Sequence, residues 1–435
     1  MRIKRTASEI TLIIIMLCVT LVSSNINWGS ERWKGIIEVD AKGYYAYLPA
    51  IFIYHDLNFG FFDKIEKEKY FDQNLYYDYR AYADGKTITK YYAGTAVAEM
   101  PFFLIAHALS SLMHYDSDGY SRLYPIFINI AALFYLFIGL LFLNRTFSGF
   151  GVKEWIKSLV LFAAVFGTNL FYYTVGEPGM SHIYSFAFIA AFFYYSRLHF
   201  TSFNRSYIIV VAMVLGMIVL IRPVNGLILF IWPFAAGDFS TLKRGFSNLV
   251  SHKLHLAGGI LIFIAVCTIQ LVIYKISTGK FFVYSYTGEG FDFMNPHFVE
   301  TLFSYKKGLF LYTPLYLLSF IGLFYFWRNS RFSVFSWLGF FILLTYILSS
   351  WSNWYYGGSF SSRVFVEYIP LFMILLAMGL QHTAGKIPRI LYVISIVLLT
   401  LLCQIQTYQY RYNQIHWSEM NKEKYWDVFL RIDKL

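Results

Sequence analysis

Long apolar segments recur along this chain and constrain its fold more than any other feature of the sequence. Ile10 to Val22, Ile126 to Leu143 and Leu309 to Phe326 each form the centre of such a segment. A bilayer core of roughly 30 Å needs about 20 mostly apolar residues per helical crossing, and the backbone inside it must satisfy its own hydrogen bonds. The sequence therefore predicts an all-α integral membrane protein.

Composition excludes a soluble protein. Of the 435 residues, 57% are hydrophobic and only 14% are charged, which is too little polar surface for a soluble globule of this size. The net charge of +11 does not indicate nucleic-acid binding, because the basic residues are spread over short loops of the kind expected on the cytoplasmic side of a membrane. Cys18, Cys267 and Cys403 lie within apolar segments and predict neither a disulfide framework nor a cysteine metal site.

The basic loops also predict the topology. All basic loops lie on the cytoplasmic side, together with the N-terminus, only if the weakly apolar stretch Thr95 to Met113 does not cross the bilayer. We therefore predict that this stretch lies in the interface or re-enters the membrane. Its Glu99 and His107 agree with this, because they would be costly at the bilayer centre. We predict about eleven crossings (10–12), drawn at residues 8–24, 123–143, 156–174, 181–196, 207–221, 224–237, 257–275, 308–327, 333–350, 364–381 and 390–406.

These crossings form one polytopic domain over residues 1–435, with no internal repeat and no long linker. Residues 25–113 are predicted to form an extracytoplasmic first loop that contains short juxtamembrane or interfacial helices. Residues 406–435 are predicted to form a short extracytoplasmic tail. The outward loops collect ionisable residues from several segments, whereas the cytoplasmic loops are short and chemically plain, so an active site is expected on the outer face.

An acidic pair, Glu38 and Asp40, follows the first apolar segment and is succeeded by Tyr44 and Tyr45. A carboxylate beside the membrane can act as general base toward a hydroxyl group. The alternative is a solvated acidic residue in a polar loop, but the tyrosines nearby favour a functional Asp40. Glu38 then either assists Asp40 or caps a helix.

Three cations at the same level are candidate phosphate ligands. Arg222 interrupts an apolar run beside Pro223, and an arginine at membrane depth is a functional candidate by default. The alternative is a tight periplasmic turn between two crossings, with Arg222 among the lipid headgroups. Lys90 can meet a lipid phosphate as a point charge, or it can snorkel to headgroups. Arg363 either contacts an anion or forms a local ion pair with Glu367, four residues further on.

Glu177 and His182 flank another outward turn and can contact a polar substrate. Together they are weak indications of a divalent metal, because a metal site needs three or four ligands. Tyr356 lies in an aromatic loop that can stack on sugar rings or simply mark the membrane interface. The sequence has no nucleotide-binding motif, so an outward-facing synthesis would need an activated substrate carried by the membrane.

Several short motifs occur along the chain: Glu38-Val-Asp40-Ala-Lys-Gly-Tyr-Tyr, Lys90-Tyr-Tyr-Ala-Gly, Phe166-Gly-Thr-Asn, Met180-Ser-His, Arg222-Pro-Val-Asn, Lys307-Gly-Leu-Phe-Leu-Tyr-Thr-Pro and Tyr356-Gly-Gly-Ser-Phe-Ser-Ser-Arg363. Together they resemble the GT-C superfamily of polytopic glycosyltransferases, in particular the bacterial protein mannosyltransferase and aminoarabinose transferase group.

The resemblance implies an inverting transfer of a sugar from a polyprenyl-phosphate donor to a glycan, glycolipid or protein acceptor, on the extracytoplasmic face of the inner (cytoplasmic) membrane. Asp40 matches the catalytic carboxylate, and Glu177 the second acidic position. Lys90 matches the start of a Lys-Pro-Pro motif, although Tyr91 and Tyr92 replace the prolines here. No cofactor is implied, and a divalent metal is left open.

Other classes share parts of this pattern. A flippase or transporter of lipid-linked saccharides would also show charges at membrane depth, but it would commonly carry inverted repeats and would not explain the large polar loop. A polymerase or ligase of surface polysaccharide would use much the same site. A non-catalytic scaffold is a third alternative.

Overall fold

The computed structural model describes residues 5–70, 77–83 and 85–434. Within these residues the regular secondary structure is almost entirely helical. The α-helices are α1 (Ala7–Asn27), α2 (Asp40–Tyr45), α3 (Tyr47–Phe52), α4 (Gly94–Leu112), α5 (Leu123–Gly149), α6 (Glu154–Phe166), α7 (Leu170–Val175), α8 (Ser181–Ser202), α9 (Ser206–Ile221), α10 (Trp232–Ala236), α11 (Phe239–Ser251), α12 (Lys253–Thr278), α13 (Phe298–Phe303), α14 (Leu309–Tyr312), α15 (Leu315–Ser319), α16 (Gly322–Asn329), α17 (Arg331–Ser349), α18 (Ile369–His382), α19 (Lys386–Arg411) and α20 (Lys422–Val428).

Other helical segments are short. Tighter 3-10 turns cover Arg32–Ile36, Pro223–Ile231, Arg363–Tyr368 and Ile432–Lys434, and a wider π-helical segment covers Phe62–Tyr70. Two strands, β1 (Arg80–Ala83) and β2 (Lys86–Thr89), pair as an antiparallel hairpin with Arg80 opposite Thr89.

Seven helical segments in the described part of the chain are long and apolar enough to cross a bilayer, which confirms the predicted all-α membrane protein. They are Ala7–Asn27, Gly94–Leu112, Leu123–Gly149, Lys253–Thr278, Arg331–Ser349, Arg363–His382 and Lys386–Arg411. The number of eleven crossings stays a prediction. Some of the predicted crossings correspond to broken helices, as at residues 308–327, where α14, α15 and α16 follow one another.

Helices α1 and α5 are antiparallel neighbours, and their contacts define one face of the molecule. Near the start of α1, the Ser8 hydroxyl donates to Glu154 at the start of α6 (2.8 Å). At the other end, Arg122 beside the start of α5 donates to the carbonyl of Trp28 beside the end of α1 (3.0 Å). We call the side where α1 ends and α5 begins the site face.

Helix α4 packs against the first half of α5 in the opposite direction. His107 and the Tyr124 hydroxyl are hydrogen-bonded at 2.6 Å, and the Tyr135 hydroxyl donates to the carbonyl of Ala98 at 3.1 Å. Just beyond α4, Asp118 accepts from Lys69 at 2.7 Å. The C-terminal end of α4 therefore returns to the polar segment that precedes this helix, although α4 alone is long enough to cross. Its interfacial position stays a prediction.

The polar segment between α1 and α4 has a small interior of its own. Glu66 is fully buried and accepts hydrogen bonds from the hydroxyls of Tyr79 (2.5 Å) and Tyr120 (2.6 Å), and Lys42 lies 3.6 Å from its second oxygen. Buried polar groups need such partners, because an unpaired one costs about 1–3 kcal/mol. This network holds α2 in place against the segment that follows it.

The centre of the protein is formed around α18. In the span from Arg363 to His382, 94% of the most apolar stretch is buried inside the protein. In each of the other six membrane-length segments, at most half of the corresponding stretch is buried. Gly322 of α16 approaches α18 so closely that an added Cβ would lie 2.0 Å from the Leu375 carbonyl oxygen. The N-terminal end of this central span therefore presents its polar residues from a rigid position.

Candidate active site

A cavity of about 540 Å³ lies at the site face, where several helix ends and loops meet. Its charged and histidine lining comprises Asp40, Lys90, His182, Arg222, Glu289 and Arg363. The remaining walls are largely aromatic, with Tyr44, Tyr91, Tyr286, Trp351, Tyr356 and Trp417 among them. Mostly apolar walls with a few convergent polar groups are typical of ligand-binding sites.

Asp40 is the first residue of α2, and both of its carboxylate oxygens are engaged. Oδ1 accepts from the Tyr91 hydroxyl at 2.5 Å, and Oδ2 accepts from Arg363 at 2.7 Å. The preceding residue, Val39, has φ 49° and ψ −126°, a conformation that costs a β-branched residue free energy. Backbone strain of this kind is concentrated at functional sites, so it supports a functional interpretation of Asp40.

The charge state of Asp40 follows from these neighbours. Burial by itself would raise its pKa, but the Arg363 guanidinium, the Tyr91 hydrogen bond and the Lys90 ammonium together lower the pKa below its ordinary value. The carboxylate is therefore ionised at neutral pH. It can accept a proton only from a group that becomes strongly acidic during a reaction.

A glycine makes the contact between Tyr91 and Asp40 possible. A Cβ added to Gly43, three residues after Asp40, would lie 2.1 Å from Cδ2 of Tyr91 and 2.9 Å from Cβ of Tyr79. The Tyr91 ring thus covers the backbone of α2 at a point where only glycine leaves enough space. This packing aims the hydroxyl at the carboxylate.

Arg222 and His182 meet at a second carboxylate, Glu367. Arg222 Nη1 lies 2.7 Å from Oε1 of Glu367, and Nδ1 of His182 lies 3.0 Å from the same oxygen. Glu367 is fully buried, and its Oε2 has no hydrogen-bond partner among the described residues. Gly94 contributes to this arrangement, because an added Cβ there would lie 2.3 Å from the backbone nitrogen of Ile221, beside Arg222.

Lys90 completes the set of cavity cations. Its ammonium lies 3.3 Å from Oε1 of Glu289, whose Oε2 accepts from the indole of Trp351 at 3.2 Å. Lys90, Arg222 and Arg363 thus have the carboxylates Glu289, Glu367 and Asp40 as respective partners. Each guanidinium carries five N–H donors, so these pairings leave donors that can bind a further anion.

Glu177 lies behind the cavity wall and does not line it. It accepts from the Tyr172 hydroxyl at 3.0 Å, and burial raises its pKa to about 7 against the opposing charges of Arg363 and Lys307. Burial together with Arg363 also lowers the pKa of Lys307 to about 7. The ammonium of Lys307 donates to the carbonyl of Ser359, and the charge of Arg363 influences both Glu177 and Lys307.

Of the other predicted site residues, some reach the cavity and others do not. Tyr44 lines the cavity, and its hydroxyl oxygen lies 3.2 Å from the Ser181 hydroxyl oxygen. Tyr356 also lines the cavity, and its hydroxyl donates to the Leu348 carbonyl at 2.8 Å. Tyr45 points away and donates to the carbonyl of Gly119, and Glu38 is not part of the lining.

Two pairings considered from the sequence are not formed. Arg363 does not pair with Glu367, because Arg363 turns to Asp40 and Glu367 turns to Arg222. Glu177 and His182 have separate partners, Tyr172 and Glu367. Among the described residues, no group of three or more histidine, cysteine, aspartate or glutamate side chains is placed to hold a metal ion.

Sequence reasoning missed three residues of the site. Tyr91 was considered only as a replacement for a proline, and Glu289 was not singled out in its long loop. Glu367 was considered only as a local partner of Arg363. The signal available for Glu367 was a carboxylate within an apolar segment, which is costly unless it is paired with a cation.

A second, apolar cavity of about 390 Å³ adjoins the first and shares Tyr92, Pro223 and Tyr284 with it. It lies between α9 and α12, and its walls include Leu220 and Phe282. Phe282 is 81% exposed in the isolated chain. The charged cavity therefore continues into an apolar groove on the outside of the helix bundle.

The fold is similar to that of an archaeal oligosaccharyltransferase. Archaeal oligosaccharyltransferase AglB from Archaeoglobus fulgidus, in complex with an inhibitory peptide and a dolichol-phosphate, matches 97% of this chain with a TM-score of 0.51 and 12% identity. The chain spans 57% of the length of that protein. An oligosaccharyltransferase of the same organism in complex with zinc and sulfate matches with a TM-score of 0.45 and 13% identity over 96% of this chain and 54% of its own.

At 12% identity this similarity shows the fold alone. It agrees with the multi-span membrane fold that the motif resemblance implied, and the GT-C assignment of this chain stays a prediction, as does the protein mannosyltransferase and aminoarabinose transferase group. No protein-family profile matches the chain, and no curated protein sequence matches it.

Proposed function

We propose that this protein is an inverting glycosyltransferase that moves a sugar from a polyprenyl-phosphate donor to an acceptor hydroxyl outside the cytoplasm. One observation carries the proposal: the buried carboxylate of Asp40 shares a single cavity with Lys90, Arg222 and Arg363, and this cavity opens into an apolar groove. A carboxylate, a set of anion-binding cations and an adjoining apolar surface are the three features that a lipid-phosphate sugar requires.

In the proposed reaction, the acceptor oxygen attacks the anomeric carbon while the bond from that carbon to the phosphate oxygen breaks. The attacking hydroxyl becomes strongly acidic as its new bond forms, and Asp40 accepts its proton. A carboxylate of low pKa is suited to this role because it is always ionised before the reaction. The bonding electrons leave with the lipid phosphate.

The cations stabilise the departing phosphate. Arg222 is our first assignment for this role, because it lines the cavity and Glu367 holds it from behind. Lys90 and Arg363 contribute further positive charge on the same side. Preorganised donors of this kind act where charge develops in the transition state and are often the largest single contribution to catalysis. The proposal routes no step through a metal ion.

The proposed location is the inner membrane, with the N-terminus in the cytoplasm and the cavity on the outer face. The excess of basic residues in the loops on the opposite side supports this orientation. Labelling of single cysteines in intact cells tests it. A cysteine at the exposed position Asp63 should react with a membrane-impermeant maleimide, whereas one at Arg145 should not.

The catalytic test uses purified protein in detergent with a polyprenyl-phosphate sugar and an envelope extract as acceptor. Asp40→Asn should lower the transfer rate by about 10²- to 10⁴-fold, because general-base contributions are of that size. Asp63→Asn is the matched control in the same polar segment, and it should leave the rate unchanged. Full activity of Asp40→Asn would remove Asp40 from the mechanism.

A further inference from the structure

A third cavity, of about 680 Å³, opens on the site face between the end of α1, the end of α19 and the turn after α7. Its lining includes Asn25, Arg32, Tyr410, Arg411, Asn413 and Trp417. Unlike the walls of the apolar groove, its lining consists largely of arginine, asparagine, tyrosine and tryptophan side chains. We call it the polar opening.

The chemistry of the polar opening suits an anionic carbohydrate. Two guanidinium groups, Arg32 and Arg411, face it, and none of its described lining residues is acidic. The Arg32 guanidinium makes one hydrogen bond to the described residues, at 3.3 Å to the Asn25 carbonyl, which leaves most of its donors available. Planar guanidinium groups bind carboxylates and phosphates bidentately, and aromatic side chains provide flat faces for sugar rings.

The polar opening adjoins the Asp40 cavity. Trp417 lines both, and it packs over Gly358, where an added Cβ would contact its ring at 3.4 Å. Tyr172 also lines the opening, and its hydroxyl binds Glu177. The turn that contains Glu177 touches α2 directly, since a Cβ on Gly179 would lie 2.8 Å from that of Ala41, the residue after Asp40.

We propose that the polar opening binds the acceptor, and that the acceptor is a saccharide carrying a carboxylate or a phosphate group. This inference rests on the proposed glycosyl transfer and narrows it, because glycan, glycolipid and protein acceptors were all left open above. The donor enters from the apolar groove, which meets the Asp40 cavity at Tyr92, Pro223 and Tyr284, and the acceptor hydroxyl arrives past Trp417, which lines both the opening and the Asp40 cavity.

The experiment measures binding to purified full-length protein in a neutral detergent, without donor. Trigalacturonate is the anionic probe and maltotriose is the uncharged probe of equal length. We expect trigalacturonate to bind at least about tenfold more tightly, which corresponds to about 1.4 kcal/mol. The double variant Arg32→Gln/Arg411→Gln should abolish this preference. Arg145→Gln, an exposed arginine of α5, is the matched control and should leave the preference intact.

Two results would overturn the inference: equal binding of the two probes, or an unchanged preference in the double variant. A third arm adds nanodiscs containing phosphatidylglycerol, and displacement of trigalacturonate by this lipid would identify the opening as a headgroup site instead. Failure of the proposed function would give a different result. If the protein binds trigalacturonate through its arginines but transfers no sugar, only the proposed transfer reaction is contradicted. Binding of polyprenyl phosphate should be unaffected by the double variant.

Discussion

Replacing Gly43 by alanine tests how the site is built, because local and tertiary effects predict opposite outcomes. Gly43 lies inside α2, where alanine is favoured over glycine by about 1 kcal/mol from helix propensity alone. The structure predicts the reverse. The new Cβ would lie 2.1 Å from the Tyr91 ring, which must move by about 1.3 Å to reach an ordinary contact of 3.4 Å.

The size of the effect follows from two contributions. Overpacking of a buried site typically costs about 1–3 kcal/mol of stability. The moved ring also withdraws its hydroxyl, which is one of the two hydrogen-bond donors that position the Asp40 carboxylate. A reacting group misplaced by about 1 Å can cost about a hundredfold in rate, so the transfer rate should fall by about tenfold to a hundredfold.

The assay compares thermal unfolding and sugar transfer for Gly43→Ala, Tyr91→Phe and Tyr91→Ala, with Gly43→Ala repeated in the Tyr91→Ala background. Tyr91→Phe removes the hydroxyl without a clash, so it should lower the rate with little loss of stability. In the Tyr91→Ala background the closest clash is absent, and Gly43→Ala should then cost much less. A Gly43→Ala protein that unfolds at the same or a higher temperature, with unchanged transfer, would refute this reasoning.

The remaining predictions concern the charged groups around the cavity. Arg222→Gln should weaken donor binding and also lower the unfolding temperature, because it leaves Glu367 buried without its guanidinium partner. The double variant Arg222→Gln/Glu367→Gln should recover the unfolding temperature but not donor binding. Unchanged donor kinetics in both variants would show that Arg222 does not contact the phosphate. The pKa of Glu177 is about 7 in the folded protein, against an ordinary value of 4.5. Between these pH values the unfolded chain has released the Glu177 proton and the folded protein still holds it, so stability should fall as pH rises from about 4.5 to 7. Thermal unfolding across this range measures the effect, and the unfolding temperature should change less with pH in Glu177→Gln.

The broad architecture could be predicted because bilayer thickness fixes the length of apolar segments. The segment 8–24 corresponds to α1, and 390–406 lies inside α19. The breaks within 308–327 were missed, since apolar composition there is continuous and the interruptions come from residues such as Pro314, whose ring prevents regular helical hydrogen bonding.

The candidate site was predicted as a set of residues but not as a set of pairs. Asp40 was predicted from the acidic pair and the tyrosines beside it, and Arg222 from the cost of a charge at membrane depth. Lys90 and Arg363 were predicted as anion contacts, and all four residues line one cavity. A single sequence contains no signal that joins Asp40 to Arg363 across 323 positions. Spacing instead suggested the local partner Glu367, and tertiary packing overrode it.

The matched charges of the cavity have a kinetic consequence. Before the reaction, Asp40 neutralises Arg363, so the lipid headgroup meets a site with no large excess of positive charge. On the proposed mechanism, the proton arriving on Asp40 cancels that neutralisation at the moment when the lipid phosphate gains charge. Arg363 would then bind the polyprenyl phosphate that remains after sugar transfer. Release of this lipid would be slow until Asp40 loses its proton again. Such an enzyme should show a rapid first turnover followed by slower cycles, which quenched-flow measurement of the transferred sugar can detect.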